Sequence, residues 1–374
     1  MAGPTSPLAA LMPQAYLNVD ASPLGPALRQ QPLVRVGIDE QGLDTLALDV
    51  QAAGAEQHIR GTHPSGLELT VDTEPDPAHQ AVVWHLRLAQ SERGSSPRLH
   101  DLQPLDITLD GALAPDPVIH TWLGGAMQSF FPPDAVTPSS RVLYPRTPAY
   151  YQPGQFVIGT HGGRSSDQHM PYVLITAADD TGGLWCAIGW SGNWRARFLK
   201  PRGSSDLHLT VGIEPCDLRL PPGTRLRGPA MALGLYKGDY AAGCNALRRW
   251  LRSRMPALPG DGDLAHFNTW TAMDADVDEA RLLAAAERVG GTGLRYFMLD
   301  AGWYPCPRDN FSAGVGNWRV DETTLQGGLE PVAERVRAQG MGMGLWIEPE
   351  RAHVGSELAR QHPAWVLAAP GRDH

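Results

Sequence analysis

The feature of this sequence that most restricts its fold is a change of hydrophobic period near residue 239. From about Val34 to Tyr236 apolar residues recur at every second position: Val34, Val36 and Ile38; Leu67, Leu69 and Val71; Trp84, Leu86 and Leu88; Leu105, Ile107 and Leu109; Leu207, Leu209, Val211 and Ile213. Successive side chains of a strand point to opposite faces, so each run can bury one face and wet the other. Several such runs separated by turn residues predict a large antiparallel β-sandwich over residues 1–236. The 41 glycines and 33 prolines fit a strand-and-turn-rich chain.

Past Asp239 the period becomes helical. Leu247, Trp250 and Leu251 share one face of a helix over 240–255, which stops at Pro256 before Pro259-Gly260-Asp261-Gly262. Residues 237–263 are therefore assigned to a helix and linker. From 264 to 374 short apolar strands alternate with helices: His266–Trp270, a helix over 277–289, Leu294–Asp300, a helix over 329–339, Met343–Ile347 and a short helix over 355–361. Gly340 stands where a helix C-terminal glycine is expected. Repeated βα units imply parallel strands covered by helices.

A formal net charge of −9 argues against a nucleic-acid binder, which needs a concentrated excess of Lys and Arg. The four cysteines, Cys186, Cys216, Cys244 and Cys306, form no C-x-x-C pair, so neither a metal site nor a disulfide framework is expected. No stretch approaches the roughly 18 apolar residues of a membrane span, and Met1–Asp20 lacks the pattern of a signal peptide. The expectation is a cytoplasmic protein with no membrane partner and no cofactor.

Three segments end the strands of the second region: Phe267-Asn268-Thr269-Trp270, Leu299-Asp300-Ala301-Gly302-Trp303-Tyr304 and Gly344-Leu345-Trp346-Ile347-Glu348-Pro349-Glu350. With Gly316-Asn317-Trp318, Gly328-Leu329-Glu330-Pro331-Val332-Ala333, His362-Pro363-Ala364-Trp365-Val366-Leu367 and, upstream, Gly163-Arg164-Ser165-Ser166 and Trp190-Ser191-Gly192-Asn193-Trp194, they resemble the signatures of glycoside hydrolase family 36 α-galactosidases. The likeness runs over roughly residues 160–370. It implies a β-sandwich followed by an incomplete (β/α)8 TIM-type barrel, with residues 264–374 forming its first three βα units. In such barrels substrate groups sit at the C-terminal ends of strands. Asp300, Trp270, Trp346, Trp303 and Glu350 are accordingly the candidate substrate-binding residues. A carboxylate accepts sugar hydroxyls, and an indole covers an apolar sugar face. The implied partner is an α-galactoside or related oligosaccharide, and a homo-oligomer is expected by family likeness. Arg164 and Asn193 are read as loop-holding residues. The group Asp274, Asp276, Asp278 and Glu279 reads as an acidic helix start rather than a metal site.

The sequence also departs from the family. Members commonly carry two adjacent aspartates where this chain has Asp300-Ala301, so Ala301 is expected to leave one sugar contact vacant; Asn317 replaces a frequent aspartate. A retaining glycosidase needs two carboxylates about 5 to 5.5 Å apart. The family's pair lies on later strands, the first in a Lys-x-Asp motif. The only Lys-x-Asp here, Lys237-Gly238-Asp239, precedes the barrel-like region and is assigned no catalytic role. Three of eight βα units point to a fragment or a truncation that supplies substrate-binding residues but no catalytic ones. The competing readings are a sugar-binding or structural remnant and a raffinose-type galactosyltransferase relative.

Overall fold

A computed structural model describes residues 17–366, apart from 19, 21, 30, 40, 42–45, 54–55, 125–138, 143–154, 161–162, 214–215 and 257–263. The Pro259–Gly262 tetrad, Leu367 and most of the first 20 residues thus lie outside the described residues. The chain divides into two compact units, Met1–Met255 and Pro256–His374.

In the first unit the period-two runs become strands, all paired antiparallel. A nine-stranded sheet runs in the order Ala47–Ala53, Glu56–Thr62, Leu67–Asp76, Ala81–Gln90, Arg225–Lys237, Gly182–Gly189, Tyr172–Thr176, Val118–Thr121 and Ser139–Val142. A four-stranded sheet runs Gln155–Gly159, Arg195–Leu199, Leu207–Gly212, Leu105–Leu109. Along Leu67–Asp76, Leu67, Leu69 and Val71 are buried while Glu68, Thr70 and Asp72 between them are partly exposed, as the alternation requires. The inner faces supply one apolar core containing Trp84, Leu86, Ile107, Trp194, Phe198, Leu209 and Leu233. Each fully buried large side chain contributes about 1.5–3 kcal/mol. The two core indoles keep their N–H groups satisfied: Trp84 donates to the Pro104 carbonyl and Trp194 to that of Ser165, each at 2.7 Å.

The helix expected after the sandwich forms over Tyr240–Arg254 and belongs to the first unit. Asp239, the aspartate of the isolated Lys-x-Asp, is its N-cap: the carboxylate accepts the Ala242 N–H at 2.9 Å. Leu247 and Trp250 are buried in a second cluster with Trp185, Leu174, Ala232 and Tyr236 on the outer sheet face.

At the far end of the helix, Arg254 reaches Glu74 at 2.7 Å and Asp76 at 3.0 Å, and His79 lies 2.9 Å from the same Asp76. Burial works to raise the Asp76 pKa, but the hydrogen bonds from His79 and Arg254 outweigh it and hold this carboxyl below the usual range. A depressed pKa stabilises the fold above the unfolded-state value and ceases to do so as pH falls through the folded value. Replacing Arg254 by alanine is therefore expected to cost about 1–2 kcal/mol near neutral pH. The difference should shrink as pH drops below about 4, measured by urea unfolding at a series of pH values.

The second unit contains three parallel strands, His266–Asn268, Tyr296–Leu299 and Gly342–Leu345, side by side in that order. Asn268 is in register with Met298, and Leu299 with Leu345. Helices Glu279–Val289 and Glu330–Ala338 pack on the sheet through Leu282, Ala286, Val332 and Val336, which are buried with Phe297 and Leu299. Gly340, at φ 77°, follows the second of these helices in the left-handed conformation that favours glycine. The acidic group is accounted for locally. Asp278 caps its helix by accepting Arg281 N–H at 2.8 Å, Glu279 accepts the Gly327 N–H at 2.9 Å, and Asp276 pairs with Arg281 and Arg308.

Candidate functional site

The parallel register brings three chain segments to the carboxyl end of the small sheet. The middle strand ends at Leu299, and Asp300 begins the turn beyond it. Thr269, fully buried, accepts the Asp300 N–H on its hydroxyl at 2.9 Å, which fixes where the carboxylate starts. One carboxylate oxygen accepts the Ala301 N–H at 2.8 Å and the other accepts the Asn268 amide at 2.9 Å. Asn268 in turn uses its own carbonyl to hold the Trp270 backbone N–H at 2.8 Å. A single side chain thus couples Asp300 to the segment carrying Trp270. A carboxylate offers about four acceptor sites; the two bonds described leave capacity for two hydroxyl donors on a partly exposed group.

The aromatic residues separate into two sets. Trp270 is 36% exposed, and its ring meets Phe311 edge-on at 5.0 Å between centroids. Phe311 also meets Trp346, at 5.9 Å, and Trp346 is partly exposed. Behind them Trp303, Tyr304 and Trp318 interlock, with Tyr304 stacked on Trp346 at 6.2 Å. Trp303 is only 4% exposed, and its indole N–H donates to the Trp346 carbonyl at 3.0 Å. Trp303, expected to contact ligand, thus has its polar atom committed and its ring buried behind Trp346. Burial, reinforced by Cys306, Glu348 and Asp300 nearby, pushes the Tyr304 hydroxyl up, so it is a neutral group at ordinary pH.

The other expected residues fall elsewhere. Glu350 is exposed beyond Pro349, with no described hydrogen bond to Asp300 or Trp270. Its neighbour Glu348 is gripped by the Arg351 guanidinium through both oxygens. Ala301 is completely buried in the apolar cluster, so its methyl fills core instead of leaving a polar contact vacant. Asn317 holds the next helix in place, accepting the Glu357 N–H at 2.8 Å and donating to the Pro305 carbonyl at 3.3 Å. In the first unit Asn193 accepts the Gly163 N–H at 2.7 Å and Arg164 lies 3.3 Å from Asp167, consistent with loop-holding. Among the described residues no group of His, Cys, Asp and Glu has the arrangement of a metal site, and no helix is long and apolar enough to cross a membrane. Sequence reasoning gave Asn268 no role. The available signal was a polar amide ending an apolar strand two residues before Trp270.

An oriented carboxylate and partly exposed indoles stand at the carboxyl end of parallel strands, the end at which α/β proteins gather ligand-binding groups. Comparison with known proteins narrows the class. Residues 257–374 match the Melibiase family model. The chain is 31% identical over 226 residues to an alpha-galactosidase from Escherichia coli, covering 58% of this chain and 31% of that protein. It is 29% identical to alpha-galactosidase AgaA of Geobacillus stearothermophilus, covering 56% of this chain and 30% of that one. The crystal structure of that family 36 AgaA superposes with a TM-score of 0.71 at 20% identity, covering 92% of this chain and 49% of that chain. The galactosidase domain of the alpha-galactosidase-sucrose kinase AgaSK gives 0.70 at 19% identity, covering 91% and 46%. The chain is thus similar in sequence to α-galactosidases, through residues 257–374 to the Melibiase family, and in fold to solved family 36 α-galactosidases. It spans about half the length of the solved relatives, and its sequence matches cover about a third of the curated ones.

Proposed function

We propose that this chain forms the sugar-gripping part of an α-galactosidase, with Asp300 accepting hydroxyls of a terminal galactose and Trp270 and Trp346 bordering it. The observation that carries this reading is the clamp of Thr269 and Asn268 on Asp300, which orients a partly exposed carboxylate without using up its acceptor capacity. Solved variants of AgaA are described in complex with raffinose and with stachyose, both oligosaccharides; the same substrate class is proposed here. The three parallel strands are read as the start of a (β/α)8 barrel, a closed form in which strand edges such as Gly342–Leu345 gain partners.

In this reading the chain itself carries no catalytic pair. Asp239 caps a helix of the first unit, Glu348 is tied to Arg351, and no described contact brings Glu350 to Asp300. A two-step retaining displacement would need two further carboxylates about 5 to 5.5 Å apart across the bond. The complete enzyme would hydrolyse terminal α-galactosides without a cofactor. The purified chain is expected to bind galactose, seen as a saturable change in tryptophan fluorescence, while releasing no nitrophenol from an aryl α-galactoside. Sustained hydrolysis by the chain alone would refute the assignment of catalysis to residues outside it. Absence of galactose binding would refute the role of Asp300.

A further inference from the structure

The Tyr240–Arg254 helix packs on one part of the outer face of the nine-stranded sheet, and a different part of that face carries an unbalanced group of arginines. Arg225 and Arg227 lie two apart on one strand and are both exposed. Arg227 is the direct cross-strand partner of Arg87, and Arg225 of Ala89. Like charges directly opposite each other in a sheet are destabilising. Asp72 pairs with Arg87, but among the described residues neither Arg225 nor Arg227 has an ion-pair partner. This surplus of cations stands out in a chain whose net charge is −9.

Two further observations mark the place as built. The register slips between Arg227 and Ala230, which pair with Arg87 and His85, so the Arg225–Lys237 strand holds one extra residue there. Such bulges re-aim neighbouring side chains and are enriched at functional sites. The three arginines also border a cavity of about 660 Å³, within the size range of small-molecule sites. Of the two glutamates in the lining, Glu68 is engaged by Arg60 and Glu92 is exposed. Burial first, and then the charge of Arg227, pushes the His85 pKa down, consistent with a positive local field.

We infer that this cavity binds a phosphoryl group, with Arg225 and Arg227 as its principal ligands and Arg87 beside them. A phosphoryl group presents three strong acceptor oxygens, and guanidinium forks match them with charge-assisted hydrogen bonds. An anion between Arg227 and Arg87 relieves the repulsion that their pairing creates. Free inorganic phosphate and a hexose phosphate share this chemistry.

The test is calorimetric titration of the full chain with inorganic phosphate and, separately, with a hexose 6-phosphate, at ionic strength matched with chloride. Saturable binding is expected for at least one probe, weakened about tenfold or more in the double variant R225Q/R227Q. A hexose phosphate that binds at least tenfold tighter than phosphate identifies a sugar phosphate as the ligand; equal affinities identify the free oxyanion. Because the two side chains have no ion-pair partners, the double variant should unfold at or above the parent's midpoint. The single variant R227K keeps the charge without the fork and should weaken binding several-fold, which preserves the test if the double variant fails to fold. No saturable binding of either probe, or affinity unchanged in the variants, overturns the inference.

Discussion

Replacing Asp300 by asparagine is expected to abolish galactose binding by this chain while leaving its fold in place. The substitution preserves shape but exchanges one acceptor oxygen for an NH2 donor. In the parent the two oxygens meet two donors, the Ala301 N–H and the Asn268 amide. The new amide has one oxygen, so one of those donors must face another donor. Turning the Asn268 side chain over does not solve this, because its NH2 would then face the Trp270 N–H that its carbonyl now accepts. The mismatch costs about 1–3 kcal/mol locally. Sugar hydroxyls lose in addition a charged acceptor, worth about 1.5–3 kcal/mol for each bond. Two such bonds correspond to a loss of at least about a hundredfold in affinity, while the mismatch, present with and without sugar, lowers stability instead. Fluorescence titration with galactose measures it, and far-UV circular dichroism checks that the strands persist. Wild-type affinity in a folded variant would remove Asp300 from the site.

Much of the architecture was legible because both units obey simple periodicities. The run Leu67, Leu69, Val71 places its strand at Leu67–Asp76, and Leu329, Val332, Ala333 and Val336 place a helix at Glu330–Ala338. Sheet order was not legible. The strand Arg225–Lys237 inserts between Ala81–Gln90 and Gly182–Gly189, and nothing in local alternation selects partners so distant in sequence. Side-chain environment at strand ends was legible only in part. The motifs located the segments carrying Asp300, Trp270 and Trp346. They did not distinguish Trp303, whose N–H is consumed by the Trp346 carbonyl, from an indole facing solvent. Nor did they reveal that Ala301 points into the core, since a one-residue step past a strand end can turn a side chain either way. Pairings such as Asn268 with Asp300, or Arg227 with Arg87, depend on strands lying side by side and become visible only with the register.

The same limit applies to the helix Tyr240–Arg254, and its packing partner carries the second large expected effect. An amphipathic pattern says that a face is buried; it does not say against what. The buried face is Leu247 and Trp250, and it meets the sandwich sheet through Trp185, with ring centroids 4.9 Å apart. The fit leaves little slack: a Cβ at Gly234 would stand 2.2 Å from the Trp185 ring, and one at Gly243 would stand 2.5 Å from the Tyr236 ring. A sheet face and helix matched this closely cannot collapse into a void, so truncation leaves a cavity. Trp250→Ala is therefore expected to destabilise the first unit by about 3–5 kcal/mol. One compensation works against the full figure. The Trp250 indole N–H is buried without a partner, so removing it relieves an unpaired donor; the lower end of the range is favoured. Thermal unfolding should show the first-unit transition displaced downward while galactose titration is unchanged, since the described residues around Trp250 all belong to the first unit. A helix that merely linked the units would give an exposed-site effect within about 0.5 kcal/mol, and that outcome would return residues 240–254 to the linker.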